Sequence, residues 1–268
     1  MRLIFTLLLT LLLCLPSLPA MAATSPSRSY TREEIKQGEK LAKEAIQAMQ
    51  KGNLIKAESL WTELVDKFPE NPAVWSNRGN IRVSQNKLDA AIADFNQAIE
   101  LAPQYPDPYL NRGVALEAQG NYEAAIANYE KVLTFNPNDA VAYNNLGNAK
   151  AGLGKWQEAT NDYHKAVELA PKFSFARANY TLALYQTDHE EEAISQMREL
   201  VRKYPLFADM RAALTAVLWE IGKQGEAESN WVSAVGVDDR YQSLDWVKNV
   251  RRWPPKMVVA LDDFLNLN

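Results

Sequence analysis

Residues 72–105 read PAVWSNRGNIRVSQNKLDAAIADFNQAIELAPQY, and their skeleton returns on both sides at intervals of 34 residues. Trp75, Gly79, Ala91, Phe95, Ala98 and Pro103 hold positions 4, 8, 20, 24, 27 and 32 of this unit. The next unit places Tyr109, Gly113, Ala125, Tyr129, Val132 and Pro137 there, and the one after Tyr143, Gly147, Ala159, Tyr163, Ala166 and Pro171. The alanine keeps the beat at Ala57, Ala91, Ala125, Ala159, Ala193 and Ala227, and the proline from Pro69 to Pro205. Self-similarity at a period of roughly 20–50 residues marks a repeat architecture whose units pack on their neighbours.

The register defines units 38–71, 72–105, 106–139, 140–173, 174–207 and 208–241 without an insertion. Each unit divides into two helical stretches. Positions 8 and 20 are small so that two helices of one unit can cross closely. Position 24 is large (Trp61, Phe95, Tyr129, Tyr163, Met197, Trp231) and is expected to fill the space between successive units. Position 15 holds Gly52, Asn86, Gly120, Gly154, Asp188 or Gly222, residue types that tolerate a left-handed turn between helices. Proline at position 32 ends the second helix.

The outer units depart from the pattern. Position 8 becomes Ala45, Thr181 or Thr215, and position 4 becomes Leu41, Arg177 or Arg211. Such atypical ends suit a stack whose last faces meet water. Thr31 and Glu34 have the spacing of a capping box, so a helix is expected to begin there.

These positions resemble the tetratricopeptide repeat. The resemblance implies an all-α, right-handed superhelical solenoid of antiparallel helix pairs, with six repeats over 31–241 and C-terminal capping helices in 242–268. It also implies that positions 2, 5, 6, 9, 12 and 13 of each first helix line a concave, partner-binding face.

On that face, position 6 holds Asn77, Asn111, Asn145 and Asn179 in four consecutive units. One amide per repeat can pair with the backbone of an extended peptide, or can bridge neighbouring helices. Asn80, Asn148, Tyr185 and Trp219 complete the expected groove, with Phe175 toward its aromatic end. The family's clamp for C-terminal carboxylates uses Lys and Arg, whereas this chain has Ser76, Asn80, Asn111, Val141 and Asn145 there. Recognition of chaperone tails by such a clamp is therefore not expected. The expected partner is an extended protein segment or a subunit surface, that of a membrane-protein complex included.

Beyond Tyr241 the periodicity stops. Pro255 suits a helix start, and Met257, Val258, Leu261, Phe264 and Leu265 share a face. This tail reads as a cap with Trp246 and Trp253 as packing anchors. Arg251, Arg252 and Trp253 also form a candidate docking patch, since Arg and Trp are favoured interface residues.

The N-terminus differs in kind. Arg2 is followed by an apolar run from Leu3 to Leu15 and by Ala20-Met21-Ala22, the layout of a signal peptide over 1–22, followed by a linker over 23–30. An uncleaved anchor is the alternative. Acylation at Cys14, the one cysteine, is disfavoured because Leu13 stands where a small residue is needed. The expected compartment is a periplasm or a thylakoid lumen. The export signal, the repeats and the Arg251-Arg252-Trp253-Pro254-Pro255 tail together resemble tetratricopeptide proteins of cyanobacteria and of the thylakoid lumen. That likeness implies a role in assembling or repairing photosynthetic membrane complexes; the alternative is a structural envelope protein of cell-wall, secretion or pilus assembly.

The net charge of −4 argues against nonspecific binding to nucleic acid. His164 and His189 are the two histidines, and neither belongs to a metal-binding motif. No nucleophile elbow or phosphate-binding loop is present. The sequence therefore predicts a non-catalytic interaction scaffold with no cofactor.

Overall fold

The computed structural model describes residues 29–266. The expected leader lies outside this range, as does most of the linker. Among the described residues, twelve helices form six antiparallel pairs. They are α1 (Arg32–Gln50) with α2 (Leu54–Lys67), α3 (Pro72–Ser84) with α4 (Leu88–Leu101), and α5 (Pro106–Ala118) with α6 (Tyr122–Phe135). Then come α7 (Ala140–Gly152) with α8 (Trp156–Leu169), α9 (Ser174–Gln186) with α10 (Glu190–Lys203), and α11 (Ala208–Glu220) with α12 (Gln224–Val237). A 3-10 turn (Asp239–Gln242), a π-helical turn (Trp246–Val250) and α13 (Pro255–Asn266) follow.

Local chemistry sets the boundaries. Thr31 and Glu34 form the expected capping box, with each residue's backbone N–H donating to the other's side chain. All six residues at position 15 have a left-handed backbone, with φ between 60° at Asn86 and 81° at Gly120. The position-32 prolines lie one residue beyond the C-cap of each second helix. Their carbonyls accept from the following unit's position-4 side chain in three cases: Trp75 Nε1 to Pro69 (2.8 Å), Tyr109 Oη to Pro103 (3.1 Å) and Arg211 Nε to Pro205 (2.7 Å). The ring or guanidinium thus ties one repeat to the turn that precedes it.

All six position-20 alanines are fully buried. Position 24 departs from expectation. In the second to fourth units its ring lies against the position-8 glycine of its own unit: a Cβ on Gly79 would stand 2.7 Å from Phe95, one on Gly113 2.5 Å from Tyr129, and one on Gly147 2.7 Å from Tyr163. The glycine is therefore a socket for an aromatic wedge between the two helices of one repeat. Ala115 of the next unit touches the same cluster as Phe95, so the wedge reaches the junction as well.

Successive first helices touch directly, α3 on α5, α5 on α7 and α9 on α11, so the right-handed stack curves toward them. The core is uneven along that stack. Four small clusters serve α1 to α7, whereas one continuous cluster runs from α8 through α13 and includes Trp253, Met257, Leu261 and Phe264. The C-terminal tail contributes Val247, Trp253 and the buried face of α13 to this larger cluster. α13 packs on α11 and α9, the first helices, and so lies on the concave side. The segment from Ser243 to Pro254, termed the strap here, crosses the groove before α13 begins.

Candidate functional site: the concave face and its strap

The concave face has two halves. In the N-terminal half, Asn77 and Asn111 are half-buried and make no side-chain hydrogen bond among the described residues. Asn145 is also half-buried and accepts from Asn144 Nδ2 (3.2 Å). Val114 and Val141, on the third and fourth repeats, are exposed, whereas Phe175, 59% exposed, lies on the fifth repeat against Phe207. Asn80 is half-buried and contributes a backbone carbonyl to Ser84. This surface is open, mildly apolar and supplied with amides.

In the C-terminal half the amides are engaged. Asn179 Nδ2 donates to Asn144 Oδ1 (3.0 Å) and Asn148 Oδ1 (3.2 Å), joining two repeats, while Tyr163 Oη donates to Asn148 (2.9 Å). The helix-bridging role holds at these positions. The aromatic end expected to receive a partner at Tyr185 and Trp219 is already closed by the chain itself. Tyr185 is 1% exposed, its hydroxyl donates to Glu220, and the Lys256 ammonium lies 4.7 Å from its ring centroid. Trp219 meets Phe264 edge-on at 5.2 Å. The physical reason for the closure is the apolar face of α13, which buries Met257, Leu261 and Phe264 against this end of the groove.

The candidate docking patch at Arg251, Arg252 and Trp253 also faces inward. Trp253 is 3% exposed. Its Nε1 donates to Asp209 Oδ1 (2.9 Å), which also accepts from Arg251 Nε (2.8 Å) and Tyr241 Oη (2.8 Å). Arg251 Nη2 bonds the other carboxylate oxygen and reaches Asn179 Oδ1 at 3.4 Å. Asp209 is thus a buried carboxylate satisfied by a guanidinium, an indole and a phenol. Burial acts to lower the Arg251 pKa, but Asp209 outweighs it and the net shift is upward.

Arg252 has φ 57°, an uncommon conformation for a residue with a long side chain. This geometry turns Arg251 and Trp253 into the groove and sends Arg252 to Glu117 Oε1 (3.2 Å), on the third repeat. Burial raises the Glu117 pKa, while the Tyr129 hydroxyl (3.0 Å) and Arg252 act in the opposite sense. At the far end, Lys256 Nζ bridges Asp188 and Glu190, each at 2.7 Å, and its backbone N–H donates to Gln186 Oε1 (2.9 Å). That pairing holds the Asp188 carboxyl below its usual range.

Asp209 and Glu117 were not singled out from sequence. Both occupy positions assigned to the concave face, 2 and 12, and acidic residues there were the available signal, given a tail bearing Arg251, Arg252 and Lys256. Beneath the strap is a pocket of about 480 Å³, walled by Tyr122, Trp156, Asn148 and Asn179 and roofed by the strap itself.

Residues 79–120 and 118–154 match the family described as TPR repeat, and residues 140–173 match Tetratricopeptide repeat. No curated protein sequence matches the chain. Among solved structures, the protein described as "YrrB: a TPR protein with an unusual peptide-binding site" is 22% identical, with TM-score 0.53 over 67% of this chain and 92% of its own. A thermophilic TPR protein of Thermus thermophilus, TTC0263, is 18% identical, with TM-score 0.57 over 68% of this chain and 99% of its own. Cut9, in the APC/C hetero-tetramer Cut9–Hcn1, gives TM-score 0.69 at 16% identity over 85% of this chain and 42% of the matched one. At these identities the likeness carries the fold. The chain carries tetratricopeptide repeats, stacked as a right-handed solenoid of that fold.

Proposed function

We propose that this protein is a non-catalytic scaffold that binds an extended protein segment on the concave face of its second to fourth repeats. The observation that carries this reading is the contrast between the two halves of one groove. The strap already engages Asp209 at position 2 and Asn179 at position 6 of the last two repeats, and reaches back only at Arg252 to Glu117, position 12 of the third. Asn77, Asn111 and Asn145, at position 6 of the second to fourth repeats, are bonded by no strap residue among the described residues. Amides bind peptide backbone with little demand on sequence, and the exposed Val114 and Val141 add apolar contact. YrrB, which shares the fold, is described as having a peptide-binding site.

The leader-like N-terminus supports export to a periplasm or thylakoid lumen. The Arg251-Arg252-Trp253-Pro254-Pro255 tail supports a role in assembling or repairing photosynthetic membrane complexes. The alternative is envelope, secretion or pilus assembly.

The test is crosslinking of residues 23–268 in a membrane extract of the source organism. Photosystem subunits recovered by the wild type, and lost on Asn111→Ala with Asn145→Ala, are the expected result. Envelope or secretion components lost on the same variant would transfer the protein to the alternative. Recovery unaffected by the double variant would overturn the groove as the site.

A further inference from the structure

We infer that the strap occupies a receptor site, centred on Asp209, whose external ligand is an extended basic segment carrying an arginine and a tryptophan two residues apart. This rests on the reading of the concave face as a binder of protein segments, and names the chemistry that its C-terminal half takes.

The site is built and charged. The Asp209 carboxylate is 6% exposed and accepts from three side chains, two of them on the strap. A buried carboxylate stripped of its donors is costly, so whatever replaces the strap must bring equivalent ones. A guanidinium on both oxygens plus an indole N–H is a demanding pattern, and Arg251-Arg252-Trp253 is its template. The surroundings are acidic at Glu117, Asp188, Glu190 and Glu220, while the strap and its junction with α13 bring Lys248, Arg251, Arg252 and Lys256. This complementarity selects a basic occupant.

The strap is also the part of the tail that can leave. α13 is anchored by Met257, Ala260, Leu261 and Phe264, each at most 2% exposed. Lys248, Asn249, Val250 and Arg252 are exposed by contrast, Val250 by 63%, while Val247 and Trp253 are the strap's buried apolar anchors at 0% and 3%. The strap leaves a pocket of about 480 Å³ unfilled beneath it and carries the left-handed Arg252. Tyr241 at one end and α13 at the other hold it, and opening it exposes Val247 and Trp253, which keeps the open fraction small. An external segment then binds in competition with the strap, and its apparent affinity is reduced by the fraction of molecules whose strap is open.

The experiment titrates a fluorescein-labelled peptide of residues 246–256 with three full chains: wild type, Arg251→Ala with Trp253→Ala, and that pair combined with Asp209→Asn. Circular dichroism monitors the helical content of each. The expected result is binding about tenfold tighter or more to the strap-weakened chain than to wild type, and its loss on adding Asp209→Asn. A peptide carrying the same two alanines should bind none of them. Equal binding to wild type and strap-weakened chains, or no binding to a strap-weakened chain of native helicity, would overturn the proposal. Dimerisation of the strap-weakened chain that blocks the peptide would also overturn it, reassigning the site to a second copy. Adding Asn77→Ala and Asn111→Ala should leave peptide binding unchanged. Loss of the Asp209 site with capture through Asn111 and Asn145 intact would therefore sink this proposal alone.

Discussion

Gly113 and Tyr129 are a fitted pair: a Cβ on the glycine would stand 2.5 Å from Cε1 of the ring. The ring is fully buried and its hydroxyl is bonded to Glu117, so it has little room to retreat. Gly113→Ala gains about 1 kcal/mol of helix propensity but forces overpacking that costs about 1–3 kcal/mol. The expected outcome is a net loss, read as a lower denaturation midpoint at unchanged slope. Gly236, in the last turn of α12, has nothing within 4 Å of its would-be Cβ. Gly236→Ala should stabilise by about 0.5–1 kcal/mol. One substitution with opposite signs at two helical glycines separates socket from spacer.

The repeat register, the helix pairing and the left-handed turns were legible because each depends on residues within one 34-residue unit. The partner of position 24 was half legible. Size and periodicity marked Tyr129 as a core residue, but whether it meets its own glycine or the next unit is decided by the angle at which two helices cross. The docking of the tail was not legible as geometry. Arg252 reaches a carboxylate 135 residues earlier, and no periodicity connects them. What the sequence did show was the cap: the shared face of Met257, Leu261 and Phe264 and the anchor Trp253 are buried against the last repeats, while the acceptors of Arg251 and Arg252 were not foreseen.

Asp209→Ala should free the strap while sparing the repeats. It leaves Arg251, Trp253 and Tyr241 without their shared acceptor, a loss of about 3 kcal/mol after allowing for the partial exposure of Arg251. Amide exchange should accelerate from Ser243 to Pro254, with α1 to α4 unchanged. Uniform acceleration along the chain would contradict the assignment.

Glu117 gives a pH dependence of defined sign. Its pKa is raised, chiefly by burial, above the usual 4.5. A carboxyl raised on folding contributes its stability below the unfolded pKa and loses it as pH rises through the folded one. Compared with Glu117→Gln, which does not titrate, the wild type should gain in relative melting temperature as pH falls from neutrality toward the unfolded value of 4.5. The same acidification protonates the carboxylate that holds Arg252, so Glu117 should loosen from the strap as it strengthens the repeat. A difference that moves against the wild type on acidification would show that the Arg252 pairing dominates.

The groove carries no cluster of cations at the clamp positions, where Ser76, Asn80, Asn111, Val141 and Asn145 stand. Peptides ending in acidic residues and a free carboxylate should show no tight, salt-sensitive binding in isothermal titration. Binding that weakens steeply with added salt would contradict this expectation.

The strap also changes how the molecule comes apart. An ordinary solenoid is a one-dimensional chain of neighbours, able to fray one repeat at a time from either end. Here Arg252 spans to the third repeat, Arg251 to the fifth and sixth, and α13 lies across the last two. These links close a loop over non-adjacent repeats and couple their opening. The third to sixth repeats should unfold as one cooperative block, leaving the first two to melt earlier and alone.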